Sequence, residues 1–166
     1  MNLNTIKDIA SELFLALKKQ EMIEPLTERY PEIDINDAYQ ISRKFLSLRE
    51  EEGEKIIGKK IGVTSPVVQE MLGVNQPDFG FLTHSMQVQN KSNFSIDASL
   101  IQPRAEAEIA FILKDDLHGP GITKDDVISA TEKIVPCFEI VDSRIESWNI
   151  KIQDSIADNA SCGIFI

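Results

Sequence analysis

Residues 104–113, RAEAEIAFIL, place two glutamates within a run of β-forming residues. This run is too short for an independent helix, which predicts a strand. Because side chains alternate along a strand, Glu106 and Glu108 lie on one face and Ile109 and Phe111 on the other. Two neighbouring carboxylates resist ionisation unless a cation joins them, and the small alanines beside them leave room for one. An exposed polar face without functional meaning is the alternative.

A third carboxylate, Glu139, interrupts a second predicted strand, KIVPCFEIV at residues 133–141. An unpaired carboxylate in so apolar a segment would be costly or would be held neutral. Three carboxylates without a histidine or thiolate cluster favour a hard divalent ion, Mg²⁺ or Mn²⁺. We therefore expect the two strands to bring Glu139 beside Glu106 and Glu108.

The segment KIIGKKIGVT, residues 55–64, predicts another strand, in which Gly58 and Gly62 allow close backbone approach. Lys59 and Lys60 face opposite sides of this strand, so one of them points inward if both faces are covered. An inward Lys60 can meet a substrate carboxylate. A lysine that extends to solvent is the commoner case.

Two further polar residues lie in predicted loops. Asp78, in the QPDFG segment, is typical of an aspartate that caps a turn beside Pro and Gly. Ser161 belongs to a polar stretch with Asp158 and Asn159, which either shapes a site or satisfies its own backbone in a turn.

The remaining pattern predicts an α+β chain. Apolar residues at helical spacing predict a first helix that ends before Pro25 and a second that is capped by Asp34 or Asn36. FLTHSMQV, at residues 81–88, is predicted as a strand. The predicted strands follow one another without a regular alternation of strand and helix, so we do not expect a doubly wound parallel sheet.

The charge balance narrows the range of partners. Seventeen Lys and Arg against 27 Asp and Glu leave a formal charge of -10, which disfavours nucleic acid. No apolar run approaches the roughly 20 residues of a membrane helix, and the N-terminus is not that of a signal peptide. Cys137 and Cys162 stand singly, without metal-site spacing. These features predict a cytoplasmic protein with reduced thiols.

Five motifs, in order along the chain, resemble the 2-hydroxypenta-2,4-dienoate hydratases, which belong to the hydratase and decarboxylase branch of the fumarylacetoacetate hydrolase superfamily. They are GKKIGVTS, LGVNQPDFGFL, QPRAEAEIAF, VPCFEIVDSRIESW and IQDSIADNAS. The resemblance implies a helical region over residues 1–54, followed over residues 55–166 by the first part of a mixed β-sheet roll that carries the catalytic site. It also implies Mg²⁺ or Mn²⁺ held by Glu106, Glu108 and Glu139, catalytic roles for Lys60 and Asp78, and a substrate contact at Ser161.

The activity that this resemblance implies is metal-dependent hydration of 2-hydroxypenta-2,4-dienoate to 4-hydroxy-2-oxopentanoate, in the meta-cleavage catabolism of aromatic compounds. The sister enzyme, 4-oxalocrotonate decarboxylase, is the alternative, because it resembles this chain in the carboxylate triad and in the LHGPG motif at residues 117–121. NQPDFG, QPRAEAE and SRIESWNIKIQD resemble the hydratases more.

Chains of this family continue beyond the ADNAS motif, whereas this sequence stops at Ile166. We therefore expect an incomplete β-roll with exposed apolar surface. An inactive fragment that acts only in association is a second alternative. The resemblance also implies a homo-oligomer, with the sister decarboxylase as a possible partner.

Overall fold

The computed structural model describes residues 1–96 and 99–166, apart from the side chains of Met71 and Leu72. It has the predicted α+β architecture, with two separate antiparallel sheets. The helices are α1 (Leu3–Lys19), α2 (Leu26–Arg29), α3 (Ile35–Glu51), α4 (Pro66–Leu72), α5 (Lys124–Ala130) and α6 (Ile152–Ala157). The strands are β1 (Ile56–Gly62), β2 (Asp78–Thr83), β3 (Arg104–Leu113), β4 (Thr131–Val141) and β5 (Cys162–Phe165). Within the described ranges, no helix is both long and apolar enough to cross a membrane.

The two long helices begin at polar residues that satisfy their free backbone N–H groups. The Asn2 side chain accepts hydrogen bonds from the backbone of Asn4 and Thr5, which starts α1. At α3, Asp34 accepts from the Asp37 backbone, and the Asp37 carboxylate accepts from the Asp34 backbone in return. Of the two predicted caps for this helix, Asp34 is therefore the one used.

A single apolar core holds α1, α3 and α6 together. Its fully buried members include Ile9 and Leu13 from α1, Ile41 and Phe45 from α3, and Ile156 from α6. Burying each such side chain contributes about 1.5–3 kcal/mol. The helix α6 leads directly into the turn and strand that end the chain, so this core anchors one wall of the site described below.

Strands β1 and β2 form the first sheet. Lys60 lies opposite Gly80, and Gly62 lies opposite Asp78. The prediction that Phe81 begins a strand is wrong, because β2 begins at Asp78 and gives way to a 3₁₀ turn at His84–Met86.

The interruption after β2 has a physical reason. The His84 ring accepts a hydrogen bond from the Lys55 backbone at 3.0 Å, and the Thr83 N–H donates to the Met86 sulfur at 3.3 Å. The Thr83–Met86 bond is local to the turn, and the His84 ring takes the Lys55 N–H that a longer ladder between the two strands would have used.

The second sheet has the order β3-β4-β5. Its register places Glu106 opposite Glu139 and Glu108 opposite Cys137, so the predicted carboxylates share one face of the hairpin. The opposite face is apolar and more than half exposed at Ile109, Phe111, Ile134 and Phe138.

A buried ion pair joins the end of β4 to the end of α6. The Arg144 guanidinium donates to the Asp158 carboxylate at 2.5 Å, to the Asp158 carbonyl at 2.7 Å and to the Cys162 carbonyl at 3.0 Å. The Arg144 backbone N–H also donates to the Asp158 carboxylate, at 2.8 Å. Both side chains are essentially inaccessible to solvent, so each charge depends on the other.

Candidate active site

Residues that were predicted from separate motifs meet where the two sheets face each other. Lys60 of β1 extends toward β4, and its Nζ lies 3.3 Å from Oε1 of Glu139. Lys59 points to the other side of β1, with its Nζ 5.8 Å from the centre of the Phe81 ring. The alternation along β1 therefore sends one lysine inward and one outward, as predicted.

The three glutamates form a compact cluster of oxygen ligands. Carboxylate oxygens of Glu106, Glu108 and Glu139 all lie within 4.8 Å of one another. Cross-strand pairing places Glu106 directly opposite Glu139, and Glu108 follows two residues later on the same face. The predicted meeting of these side chains is thus observed, while metal binding by them stays a prediction.

The chemistry of this cluster fits a divalent cation. Glu139 is buried, and its Oε1 has no hydrogen-bond partner beyond the ion pair with Lys60. Burial raises the pKa of Glu139 most, the charges of Glu106 and Glu108 raise it further, and Lys60 opposes them. Three carboxylates and one ammonium leave two negative charges, which a divalent ion would balance, and oxygen donors suit Mg²⁺ or Mn²⁺.

The environment of Lys60 holds its proton. Burial disfavours the charged ammonium, but nearby Cys162, Glu139 and Asp78 together raise the pKa of Lys60 above its usual value. Burial also raises the pKa of the Cys162 thiol to about 12. Because Cys162 is therefore neutral near pH 7, the two carboxylates are the charges that stabilise the ammonium there.

Asp78 lies on the same face of the first sheet as Lys60, and only 3% of it is exposed. Its Oδ2 accepts a hydrogen bond from the Ser155 hydroxyl at 3.2 Å, whereas its Oδ1 has no partner. A Cβ atom at Gly62 would overlap this Oδ1, so a close approach exists at Gly62, made by the Asp78 side chain and not by another backbone. At Gly58 a Cβ would make only ordinary contact with Leu82, and that half of the prediction is wrong.

Ser161 is the last residue of the turn Asn159–Ser161, which connects α6 to β5. The residue is buried, and no described residue forms a hydrogen bond with its hydroxyl. The structure thus does not join Ser161 to Lys60 or Asp78 by a hydrogen bond. Its role as a substrate contact stays a prediction.

Unpaired buried polar atoms concentrate in this region. Among the described side chains, five buried nitrogen or oxygen atoms lack a hydrogen-bond partner. Three of them belong to predicted site residues: Asp78 Oδ1, Ser161 Oγ and, apart from its ion pair with Lys60, Glu139 Oε1. Such atoms are uncommon in proteins, because leaving them unpaired costs about 1–3 kcal/mol each. Their concentration is typical of a site whose ligand completes the hydrogen bonding.

Sequence reasoning did not single out Asn159 as a site residue. Its side-chain oxygen accepts from the Phe81 backbone N–H at 2.8 Å, and its amide nitrogen donates to the Phe81 carbonyl at 2.9 Å. Asparagine after a helix is a signal for a left-handed turn. That signal locates the turn but cannot identify the strand that the side chain binds.

No protein-family model matches the chain. A 2-hydroxyhexa-2,4-dienoate hydratase from Comamonas testosteroni is 58% identical over 97% of this chain and 61% of its own length. A 2-hydroxypent-2,4-dienoate hydratase from Pseudomonas putida is 55% identical over 100% of this chain and 75% of its own length. A 2-keto-4-pentenoate hydratase from Paraburkholderia phymatum is 44% identical over 98% of this chain and 62% of its own. The chain thus spans about three fifths to three quarters of the length of these relatives.

Solved structures give a consistent result. The 4-oxalocrotonate decarboxylase from Pseudomonas putida G7, complexed with magnesium and adipate, superposes with a TM-score of 0.95 at 33% sequence identity. The match covers 100% of this chain and 63% of the decarboxylase chain. The same enzyme complexed with calcium and acetate gives a TM-score of 0.92.

Proposed function

The chain belongs to the 2-hydroxypentadienoate (2-keto-4-pentenoate) hydratase family, and from this premise we propose that the protein hydrates 2-hydroxypenta-2,4-dienoate to 4-hydroxy-2-oxopentanoate with the help of a divalent metal ion. This step belongs to the meta-cleavage catabolism of aromatic compounds. The observation that carries the proposal is the meeting of the three-glutamate cluster with partly buried Lys60 and buried Asp78.

We propose that Glu106, Glu108 and Glu139 hold the metal ion. When bound, a divalent ion would supply positive charge that offsets the charge of the substrate carboxylate and the negative charge that develops on the 2-oxygen. The magnesium in the decarboxylase structure supports the choice of ion, and Mn²⁺ has similar ligand preferences. Lys60 contributes a second positive charge beside Glu139.

The protein side chains then handle binding and proton transfer. The Lys60 ammonium orients the substrate carboxylate, which fixes the reacting carbon chain. The unpaired Oδ1 of Asp78 accepts the proton of the 2-hydroxyl group and passes it to carbon 5 as the substrate ketonises, which returns Asp78 to its carboxylate form. Water then adds its hydroxyl to carbon 4 and a proton to carbon 3. The unpaired hydroxyl of Ser161 is available to bind a substrate oxygen.

Decarboxylation is the second candidate, favoured by the close superposition on 4-oxalocrotonate decarboxylase. Both reactions develop negative charge on the same substrate oxygens, so the same glutamate cluster would serve either. The identity is higher to the hydratases than to this decarboxylase, which is why hydration is preferred.

A product assay distinguishes the two reactions. With Mg²⁺ present, we expect the protein to remove the absorbance of 2-hydroxypenta-2,4-dienoate and to form 4-hydroxy-2-oxopentanoate. We expect no carbon dioxide from 2-oxohex-3-enedioate. Carbon dioxide release would favour the decarboxylase instead, and inactivity of folded protein toward both substrates would contradict the proposed function.

Neutralising one glutamate tests the metal site. We expect Glu108→Gln, which keeps the side-chain shape, to weaken Mg²⁺ binding by at least about 100-fold, since even indirect partners of a metal are worth 10–100-fold. Isothermal titration calorimetry measures this affinity. Glu132→Gln, an exposed glutamate of the same strand β4, is the matched control and should bind Mg²⁺ as the wild type does. Equal affinity in all three proteins would contradict the proposed site.

The proposal also includes a cytoplasmic location, a homo-oligomeric state and a possible association with the sister decarboxylase. The exposed apolar face at Ile109, Phe111, Ile134 and Phe138 supports an assembly, since such a patch is typical of a surface that another chain covers.

A further inference from the structure

The candidate site is built from two sheets that do not share a hydrogen-bond ladder. Lys60 and Asp78 lie on the β1–β2 sheet, whereas the glutamate cluster lies on the β3–β4–β5 sheet. After β2, the Val88 N–H donates to the Phe165 carbonyl of β5 at 2.9 Å, ten residues beyond Asp78. The alignment of the two halves near Asp78 therefore depends on packing and on side-chain hydrogen bonds.

Asn159 provides such a link. Both polar groups of its side chain bind the Phe81 backbone, at 2.8 and 2.9 Å, and the residue is 2% exposed. One edge of β2 pairs with β1. At the other edge, the Asn159 amide makes the two hydrogen bonds that a neighbouring strand would make with Phe81.

The backbone of Asn159 is connected to the β3–β4–β5 sheet, which carries the glutamate cluster. Asn159, Ala160 and Ser161 all adopt left-handed conformations, with φ of 55°, 52° and 51°. Each non-glycine residue in this region costs about 1–2 kcal/mol, so the surrounding structure must hold the turn in place. The turn runs directly into β5, in which Phe165 pairs with Glu139.

Packing leaves little freedom between the turn and β2. A Cβ atom at Gly80 would overlap the Asn159 carbonyl oxygen and would come within 2.9 Å of the Cys162 sulfur. Gly80 lies opposite Lys60 in the sheet, so this contact is made at the level of the inward-pointing lysine. A glycine is therefore required here, because the two backbones approach too closely for any side chain.

We propose that Asn159 is a positioning residue, which holds Lys60 and Asp78 in place relative to the metal ligands of the other sheet. It acts through the Phe81 backbone. The kinetic consequences of this inference rest on the proposed function. The connection that Asn159 makes to Phe81 can also be tested by a measurement that does not need turnover.

The test compares Asn159→Ala with the wild-type protein. We expect kcat for hydration to fall by about 100-fold, the loss typical of a misplacement of about 1 Å, while the Mg²⁺ affinity measured by calorimetry is unchanged. We also expect Mg²⁺ to slow backbone hydrogen exchange in β2 of the wild type but not of the variant. Asn149→Ala is the control, since Asn149 is an exposed asparagine whose side chain donates to Glu28 away from the site.

A second variant covers the case in which Asn159→Ala does not fold. Asn159→Asp keeps the acceptor for the Phe81 N–H but replaces the donor by an oxygen that repels the Phe81 carbonyl, so it should show the same losses. Unchanged kcat, or an equal loss of Mg²⁺ affinity, would overturn the inference. If the wild type does not hydrate the dienoate, the proposed function fails. The hydrogen-exchange measurement then tests, without kinetics, whether Asn159 connects β2 to the metal ligands. Equal Mg²⁺ protection of β2 in wild type and variant would then overturn the inference.

Discussion

Replacing Lys60 by methionine is expected to lower kcat for hydration by about 10²–10⁴-fold, the range typical of a side chain that takes part directly in proton transfer or substrate orientation. Methionine fills a similar volume but carries no charge. The variant therefore removes the ammonium that lies 3.3 Å from Glu139. Mg²⁺ should still bind, and bind more tightly, because a cation that competes for Glu139 is gone.

Lys59→Met is a closely matched control for this experiment. Lys59 lies next to Lys60 on the same strand but points to the opposite face, over the Phe81 ring. We expect this control to retain kcat. Steady-state kinetics on both variants measures the difference, and a Lys60→Met protein as active as Lys59→Met would show that Lys60 is not part of the catalytic machinery.

Replacing Asp158 by alanine should lower the free energy of unfolding by about 3–5 kcal/mol. The change leaves the Arg144 guanidinium buried without its carboxylate partner, and it also removes the acceptor of the Arg144 backbone N–H. Because this pair connects β4 to α6, its loss should destabilise the wall of the site as well as the core.

Urea unfolding measures this loss, with Asp126→Ala as the matched control. Asp126 is an exposed aspartate that accepts hydrogen bonds from Thr123 at the start of α5. Since solvent replaces its bonds readily, the control should change the unfolding midpoint much less. Equal shifts for the two variants would mean that the buried Arg144–Asp158 pair contributes no more than an exposed cap.

The features that sequence predicted well are those set by local periodicity. The capping aspartate at α3 follows from short-range patterns. The sharing of a face by Glu106 and Glu108 follows from the alternation of side chains along a strand. Glu139 joins them because the predicted strand that carries it pairs with theirs.

Other features depend on how the two sheets pack, and no local pattern contains that information. The contact between Lys60 and Glu139 joins different sheets. The sequence places Asn159 only within a polar stretch, because the backbone that it binds, at Phe81, is far away in sequence. The burial of Arg144 and Asp158 also escaped prediction, because charged residues are rarely fully buried unless they are paired.

In the proposed reaction, hydration needs a divalent ion held by the three glutamates. The most direct measurement is the rate of 2-hydroxypenta-2,4-dienoate loss before and after EDTA treatment, followed by addition of Mg²⁺. We predict that EDTA abolishes the rate and that Mg²⁺ restores it in the wild type but not in Glu108→Gln at the same concentration. A full hydration rate in EDTA-treated, metal-free protein would show that hydration does not need the divalent ion.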